Sequence, residues 1–436
     1  MFSENILRSI DANRTIKDKI VQSISSGRSR LHISVTDLIN PMQSYYRWIH
    51  PEIKPPIDKL HYILSGTGFH EIFSDIVSTE EYVEQLLEYK GIVGKVDIFE
   101  NIPIELKTTG SIPKDLYKEK LSYIEQLGMY CAMADCDKGQ LIIYKRGNGR
   151  KKAILEVFDI TYFNIEKIKT NMLERKAIFQ DALANKNPDN LPKCEWYKKR
   201  CDYSQHCNCS TASLGEPIVN HDEITISSNE DALAHFTSKL LEERAFPVDE
   251  HLTLDNLIFP RNYVLSKTNN VISNEPNVQT QMAIIENTGF TQALVNAIEF
   301  GSKENFNSVE VSRGMLRERV SMLYNIPFVI ETVETDTMIG RKDLPSIFPH
   351  YFNKLAFISA LTKSRKSRLI LYYQNIYKNK FMVYDVIFQN GNEILQELDK
   401  RINDVTNTTN HTTLPKCPES LFKYCQYLEV CECSQN

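Results

Sequence analysis

The chain is written twice, so whatever fold it adopts must be one that a single module of about half its length can close. Cys194, Cys201, Cys207 and Cys209 lie in LPKCEWYKKRCDYSQHCNC, and Cys417, Cys425, Cys431 and Cys433 in LPKCPESLFKYCQYLEVCEC. The offset is 223 for the first cysteine and 224 for the other three, and both clusters contain C-x-Y-x3-C followed by x-C. Earlier blocks match in the same order: HISVTDLINP with HLTLDNLIFP, TGFHEIFSDI with TGFTQALVNA, VDIFENIPIELKT with VSMLYNIPFVIET, and QLIIYK with RLILYY. Their offsets drift from 219 to 228, as loop insertions produce. The modules are placed at 1–212 and 213–436. A linker is expected over 210–222, where STASLGEP shows no apolar periodicity.

Composition narrows the class. Hydrophobic residues make up 42% and charged residues 25%, as in an ordinary globular protein. No apolar run of about 18 residues occurs, which excludes a transmembrane helix. A net charge of −5 excludes a uniformly basic nucleic-acid binder but leaves room for a local basic channel. Eight of the ten cysteines fall in the two clusters, which points to metal binding in a reducing compartment rather than a disulfide framework. The opening MFSENILRSIDANR has no apolar core of signal-peptide length. The expected location is the cytoplasm, with the nucleoid or nucleus as its nucleic-acid compartment, and not outside the cell.

The local patterns predict a helix over 3–25 and a helix whose apolar face is Phe69, Ile72, Phe73 and Ile76. A hairpin follows, from 92–99 and 102–108, then a helix over 116–133. Strands at 141–144 and 153–158 precede a long helix over 162–184. This order is an α/β module with a mixed sheet flanked by helices and closed by the cysteine cluster.

Asp97, Glu105 and Lys107 are the residues in this pattern that carry chemistry. In a hairpin centred on Asn101, Asp97 and Glu105 are each four residues from the turn. They lie opposite one another on one face, and Lys107 shares it. Two opposed carboxylates repel unless a positive charge joins them, and a hard divalent cation such as Mg²⁺ or Mn²⁺ supplies it. A neighbouring lysine can orient or deprotonate an attacking water. The same triplet would also suit a solvated, ion-paired hairpin.

GKVD-x7-ELK resembles the active-site hairpin of the PD-(D/E)xK nuclease superfamily. Flanking segments resemble its RecB-type branch, which includes CRISPR-associated adaptation exonucleases. They are SVTDLINPMQSYYRW near the start, His70 in GTGFHEIF, the Gln126-x3-Tyr130 pair, and the closing C-x-Y-x3-C. The resemblance spans most of 30–209. It implies that His70, Asp97, Glu105 and the backbone carbonyl of Leu106 ligate Mg²⁺ or Mn²⁺, and that Lys107 activates water. It also implies that Gln126 and Tyr130 line the site and contact DNA, with Arg47 as a phosphate contact. Iron–sulfur members of the branch place one cluster cysteine near the N-terminus, where this chain has Asn40 and Phe259. Four local cysteines remain in each cluster. Thiolates suit a [4Fe–4S] cluster, which the resemblance favours, or Zn²⁺.

The second copy has lost the chemistry. Asp97, Glu105 and Lys107 align with Ser321, Val329 and Glu331, and His70, Gln126 and Tyr130 with Thr291, Lys354 and Ile358. Its expected role is an internal pseudo-dimer partner. Lys145, Arg146, Arg150, Lys151 and Lys152, and also Lys198, Lys199 and Arg200, are local basic groups able to meet phosphate. Tyr45, Tyr46 and Trp48 are candidates for base stacking. The expected activity is metal-dependent cleavage of DNA, on single strands or ends, in repair, recombination or CRISPR-type defence. The alternative is a non-catalytic DNA-binding subunit of a helicase–nuclease assembly. No G-x4-G-K-[ST] loop occurs, so any motor is a separate helicase chain.

Overall fold

The computed structural model describes residues 6–25, 31–54, 57–147, 152–194, 201–207, 215–242, 251–268, 277–374, 376, 381–419, 422, 425 and 427–434. The protein is α/β, with two mixed sheets. Its strands are β1 (Leu7–Ala12), β2 (Ile33–Ser34), β3 (Val83–Tyr89), β4 (Ile92–Phe99), β5 (Pro103–Thr109), β6 (Lys138–Lys145), β7 (Ile154–Tyr162), β8 (Ile224–Ser228), β9 (Phe306–Arg313), β10 (Leu316–Leu323), β11 (Ile326–Val333), β12 (Lys366–Tyr373) and β13 (Phe381–Phe388). One sheet runs β2-β4-β5-β6-β7-β8 with β3 also on β4, and the other runs β1-β13-β12-β11-β10-β9.

The duplication is visible in the ladders. β3 to β7 pair antiparallel, antiparallel, parallel, antiparallel, and β9 to β13 repeat that series. A parallel pair needs a long crossover. Helices Leu116–Met133 and Pro349–Leu361 lie in the two crossovers. Each buries an apolar face in its own core, with Ile124, Leu127 and Met129 in one and Leu355, Ala356 and Phe357 in the other.

The compact units do not divide at 212. One is Ser25–Glu243, and the other joins Met1–Ile24 to Arg244–Asn436. The reason lies in strand pairing. β8 extends the first sheet by pairing with β7, and β1 extends the second by pairing with β13. Each repeat therefore gives its opening strand and helix to the other unit. The two junctions are built alike. Asn229 donates its amide to Asp159 Oδ2 at 2.8 Å and its backbone N–H to Val157, and it caps the helix Glu230–Glu242 by accepting from Ala232 N–H. Asn13 donates to Asp385 Oδ2 at 2.7 Å and to Val383 O, and accepts from Ile16 N–H.

Several local expectations shift accordingly. The span 3–25 is not one helix. β1 precedes the helix Arg14–Ser25, and Asn13 breaks between them as a cap. β3 was not legible as a strand from the apolar pattern, because its exposed positions mix Glu84, Leu86 and Glu88. The expected linker is docked in its described part. Ile218 and Val219 are buried, Ile218 N–H donates to Glu125 Oε1 at 2.6 Å, and Tyr117 Oη donates to Val219 O at 3.0 Å.

A fragment spanning 25–243 is expected to melt in one cooperative transition. A fragment ending at 212 loses β8 and the buried Ile218, Val219 and Ile224 side chains. At ~1.5–3 kcal/mol per buried aliphatic, its melting temperature should fall by about 10 °C or more. Calorimetry of the two fragments measures this.

Candidate active site

Four elements converge on one cleft of about 340 Å³ in the unit Ser25–Glu243. The helix Ile57–Val77 supplies His70, β4 supplies Asp97, β5 supplies Glu105 and Lys107, and the helix Leu116–Met133 supplies Gln126 and Tyr130. All six sequence-predicted side chains line it. The geometry begins with the hairpin. β4 and β5 pair only at Ile98↔Ile104 and Phe99↔Pro103. Past that point the Leu106 N–H is taken by Asp97 Oδ2 at 2.7 Å. Asp97 Oδ1 faces His70 Nδ1 at 3.4 Å. Lys107 Nζ is ion-paired with Glu105 Oε1 and donates to Gln126 Oε1 at 2.9 Å, and Gln126 Nε2 donates to Tyr130 Oη at 3.1 Å.

Tyr130 reaches the site because residue 94 is glycine. A Cβ there would stand 2.6 Å from Tyr130 Cε1. The sequence reading did not single out Gly94, although the second copy holds the clue: Glu318 and Ile358 replace Gly94 and Tyr130 together. Leu86, 72% exposed, and Lys95 also line the cleft and were missed.

Burial pushes Glu105 up to about 8, Lys107 eases that shift and Asp97 adds to it. Burial acts the same way on Asp97, but His70, Lys107 and the Leu106 N–H outweigh it and hold that carboxyl below its usual range. Burial opposes the Lys107 charge, and Glu105 and Asp97 overcome it and raise its pKa.

Among the described residues no group of three or more His, Cys, Asp or Glu side chains stands at metal-ligand geometry. The donor chemistry nevertheless fits a hard cation. Glu105 Oε2 is buried without a hydrogen-bond partner. It shares the cleft with Asp97 and His70, an oxygen-rich set suited to Mg²⁺ or Mn²⁺. Leu106 is seen to give the site its N–H.

The DNA-contact expectations fare unevenly. Tyr45 and Tyr46 are 2% and 7% exposed and pack in the core, so they cannot stack on bases, and Trp48 packs edge-on to Phe179. Arg47 hydrogen-bonds Tyr203. Lys145 and Arg146 lie outside the cleft lining, at the end of β6. Arg150, Lys151, Lys198, Lys199 and Arg200 are outside the described residues.

So is Cys209. Cys194 is buried, and Cys201 and Cys207 are partly buried against the same core. In the second cluster Cys417, Cys425, Cys431 and Cys433 pack together with Leu265. Cys425 and Cys431 Sγ are 4.0 Å apart, and Cys433 Sγ accepts the Cys417 N–H at 3.3 Å. Asn40 is buried with Oδ1 unpartnered.

The equivalent place in the other unit is filled by charge. Lys354, at the position of Gln126, pairs with Asp255 Oδ1 at 2.7 Å, and Glu318, at that of Gly94, accepts the Leu254 N–H at 2.8 Å. Burial pushes Glu331 up to about 7, with Lys354 opposing and Asp255 reinforcing.

No family model matches the chain, and no curated protein matches it. A solved structure described as "Crystal structure of SSO0001" matches 44% of this chain and 93% of its own, at 20% identity and a TM-score of 0.31. No helix among the described residues is long and apolar enough to cross a membrane.

Glu331 carries a pH prediction. Its folded pKa lies above the ordinary value of 4.5, so the folded state holds that proton more tightly. Its contribution to stability is present below about pH 4.5 and is lost as pH rises toward 7. His350, lowered to about 4 by burial and Lys354, contributes the opposite slope between about 4 and 6.5. The melting temperature of Glu331→Gln relative to wild type should therefore climb steadily from pH 4.5 to 7. A flat difference would contradict the assignment.

Proposed function

We propose that the protein is a metal-dependent deoxyribonuclease built from two tandem PD-(D/E)xK-type modules, the first active and the second catalytically silent. The observation that carries this reading is Glu105. Its Oε1 is held by Lys107 while its Oε2 is buried without a partner, beside Asp97 and His70. A carboxylate oxygen left bare in a cleft is what a divalent cation completes. Asp97, Glu105 and His70 would hold Mg²⁺ or Mn²⁺, with the Leu106 carbonyl as a further ligand by resemblance. The cation, when bound, polarises the phosphodiester and lowers the pKa of water.

The chain's own residues supply the rest. Lys107, fixed as an ammonium by Glu105 and Gln126, orients the attacking water and stabilises the charge that builds on the phosphate, and the proton the water gives up passes to solvent. The water oxygen bonds to phosphorus, the P–O bond to the leaving sugar oxygen breaks, and that oxygen takes up a proton. Gln126 positions the DNA strand, the buried Tyr130 holds the Gln126 amide through its phenol oxygen, and Arg47, Lys145 and Arg146 are more remote phosphate contacts. Replacing Asp97, Glu105 and His70 by Ser321, Val329 and Thr291 removes every such ligand from the second module.

The cysteine clusters take a thiophilic metal, [4Fe–4S] or Zn²⁺, and staple the end of each repeat. Two thiolates on one tetrahedral zinc stand about 3.8 Å apart. The 4.0 Å between Cys425 and Cys431 is close to that. Iron, zinc and sulfide analysis of anaerobically purified protein is expected to find one of these metals, and finding neither overturns the cluster assignment.

End-labelled single- and double-stranded DNA with Mg²⁺ or Mn²⁺ tests the activity. Wild type should cut, EDTA should stop it, and Lys107→Ala and Asp97→Ala should each lower the rate at least ~100-fold. Failure of the wild type to cut, with DNA still bound, would sink the nuclease reading in favour of a binding subunit for a separate helicase.

A further inference from the structure

The helix Leu116–Met133, which carries Gln126 and Tyr130, ends in a turn built around two thiols. Ala134 N–H donates to Tyr130 O at 2.9 Å, Asp135 takes a left-handed φ of 56°, and Cys136 N–H returns to Cys131 O at 3.0 Å. That pattern brings the side chains at its two ends, Cys131 and Cys136, together. Both Sγ atoms donate to one acceptor, Lys138 O, at 3.3 and 3.4 Å. The two thiols also hydrogen-bond each other. Cys131 is fully buried and Cys136 is partly exposed.

The second repeat separates the turn from the thiols. An offset of 228 places Ser359 and Ser364 at these two positions and Lys363 at that of Asp135. Lys363 has a φ of 54°, and Ser364 N–H returns to Ser359 O at 2.9 Å. Ser364 Oγ donates to Lys366 O at 2.7 Å, as Cys136 does to Lys138 O. Two hydroxyls therefore close the same turn, and nothing in its backbone requires sulfur. What sulfur adds is the capacity to be oxidised. Neither thiol belongs to the cysteine clusters, and neither lines the cleft.

The pair is also asymmetric. The Cys131 thiol holds Cys136 below its usual range, against burial and the neighbouring Asp137 and Asp135. Burial pushes Cys131 well up, and the hydrogen bond to Cys136 adds to that. A partly exposed thiol of thiolate character beside a buried partner is the arrangement of an attacking and a resolving cysteine.

We propose that Cys131 and Cys136 form a reversible intramolecular disulfide on exposure to a peroxide. The Cys136 thiolate attacks the O–O bond and keeps one oxygen as a sulfenic acid, while the other leaves as hydroxide. Cys131 Sγ then attacks the Cys136 sulfur, its proton and the sulfenic hydroxyl leave together as water, and the S–S bond forms. The peroxide is reduced by the two electrons that the thiol pair gives up. A dithiol reverses the bridge by exchange. In a reducing compartment such a bridge is transient. Bridging takes both thiols off Lys138 O, at the start of β6, the strand that pairs with the one holding Glu105 and Lys107. The inference does not depend on the nuclease reading.

Trypsin cuts after Lys120 and Lys138, so one peptide, Leu121–Lys138, holds these two cysteines and no others. The full chain is treated with hydrogen peroxide, blocked with N-ethylmaleimide, digested and analysed by mass spectrometry. The wild-type peptide should lose two hydrogens and carry no blocking group, and dithiothreitol should restore both thiols. Cys131→Ser should lose the bridge and leave Cys136 as a sulfenic acid that dimedone traps, and Cys136→Ser should leave Cys131 reduced. The second repeat already uses serine at both places, so both variants are expected to fold. Bridging should be at least ~10-fold faster in the folded chain than in the isolated peptide. A peptide that keeps both thiols free, that goes to sulfinic acid without bridging, or that bridges no faster in the folded chain overturns the proposal.

Discussion

The β4–β5 hairpin stops pairing after two rungs, and the site depends on that parting. Had the ladder continued past Ile98↔Ile104, the Leu106 N–H would have been spent on β4. Freed, it fixes the Asp97 carboxylate at 2.7 Å, and Asp97 then faces His70 across the gap. Glu105 and Lys107 project from the strand on the other side. The second repeat also pairs for two rungs only, Met322↔Pro327 and Leu323↔Ile326, one residue out of register with the first. The opening is thus a property of the shared hairpin, and the first repeat alone lines it with a carboxylate and a histidine.

Both units gather carboxylates at this place, and each answers the charge in its own way. Around Glu105, one lysine compensates one oxygen and leaves the other bare. Around Asp255, Glu318 and Glu331, Lys354 is a resident cation. Burial opposes its charge, and Asp255 and Glu331 overcome that and hold its pKa well above normal. An ammonium beside these carboxylates offsets their charge from within the chain. In the second repeat Ser321, Val329 and Thr291 stand where the first has Asp97, Glu105 and His70, and Lys354 brings the positive charge.

Much of this was legible. The duplication came directly from cysteine spacing, and the hairpin that lines the cleft from two carboxylates equidistant from Asn101. The helix Leu116–Met133 matches its expected span. What failed was whatever depends on long-range pairing. Nothing local in 7–12 distinguishes a strand from a helix start, because its partner β13 lies at the other end of the chain. Tyr45 and Tyr46 read as stacking residues only by composition, and the core claimed them. Gly94 was silent because its meaning lies in the ring of Tyr130, 36 positions away.

The exchanged arms also set a timetable. Asn229 reaches Asp159 across 70 residues, whereas Asn13 reaches Asp385 across 372. In closure entropy the longer loop costs only about 1.5 kcal/mol more. In time the difference is large. At about 5–20 residues per second, β1 leaves the ribosome roughly 20–70 s before its partner strand exists. β1 is made well before its partner, and until β13 emerges it is an unclaimed edge that a neighbouring nascent chain could take up in place of its own.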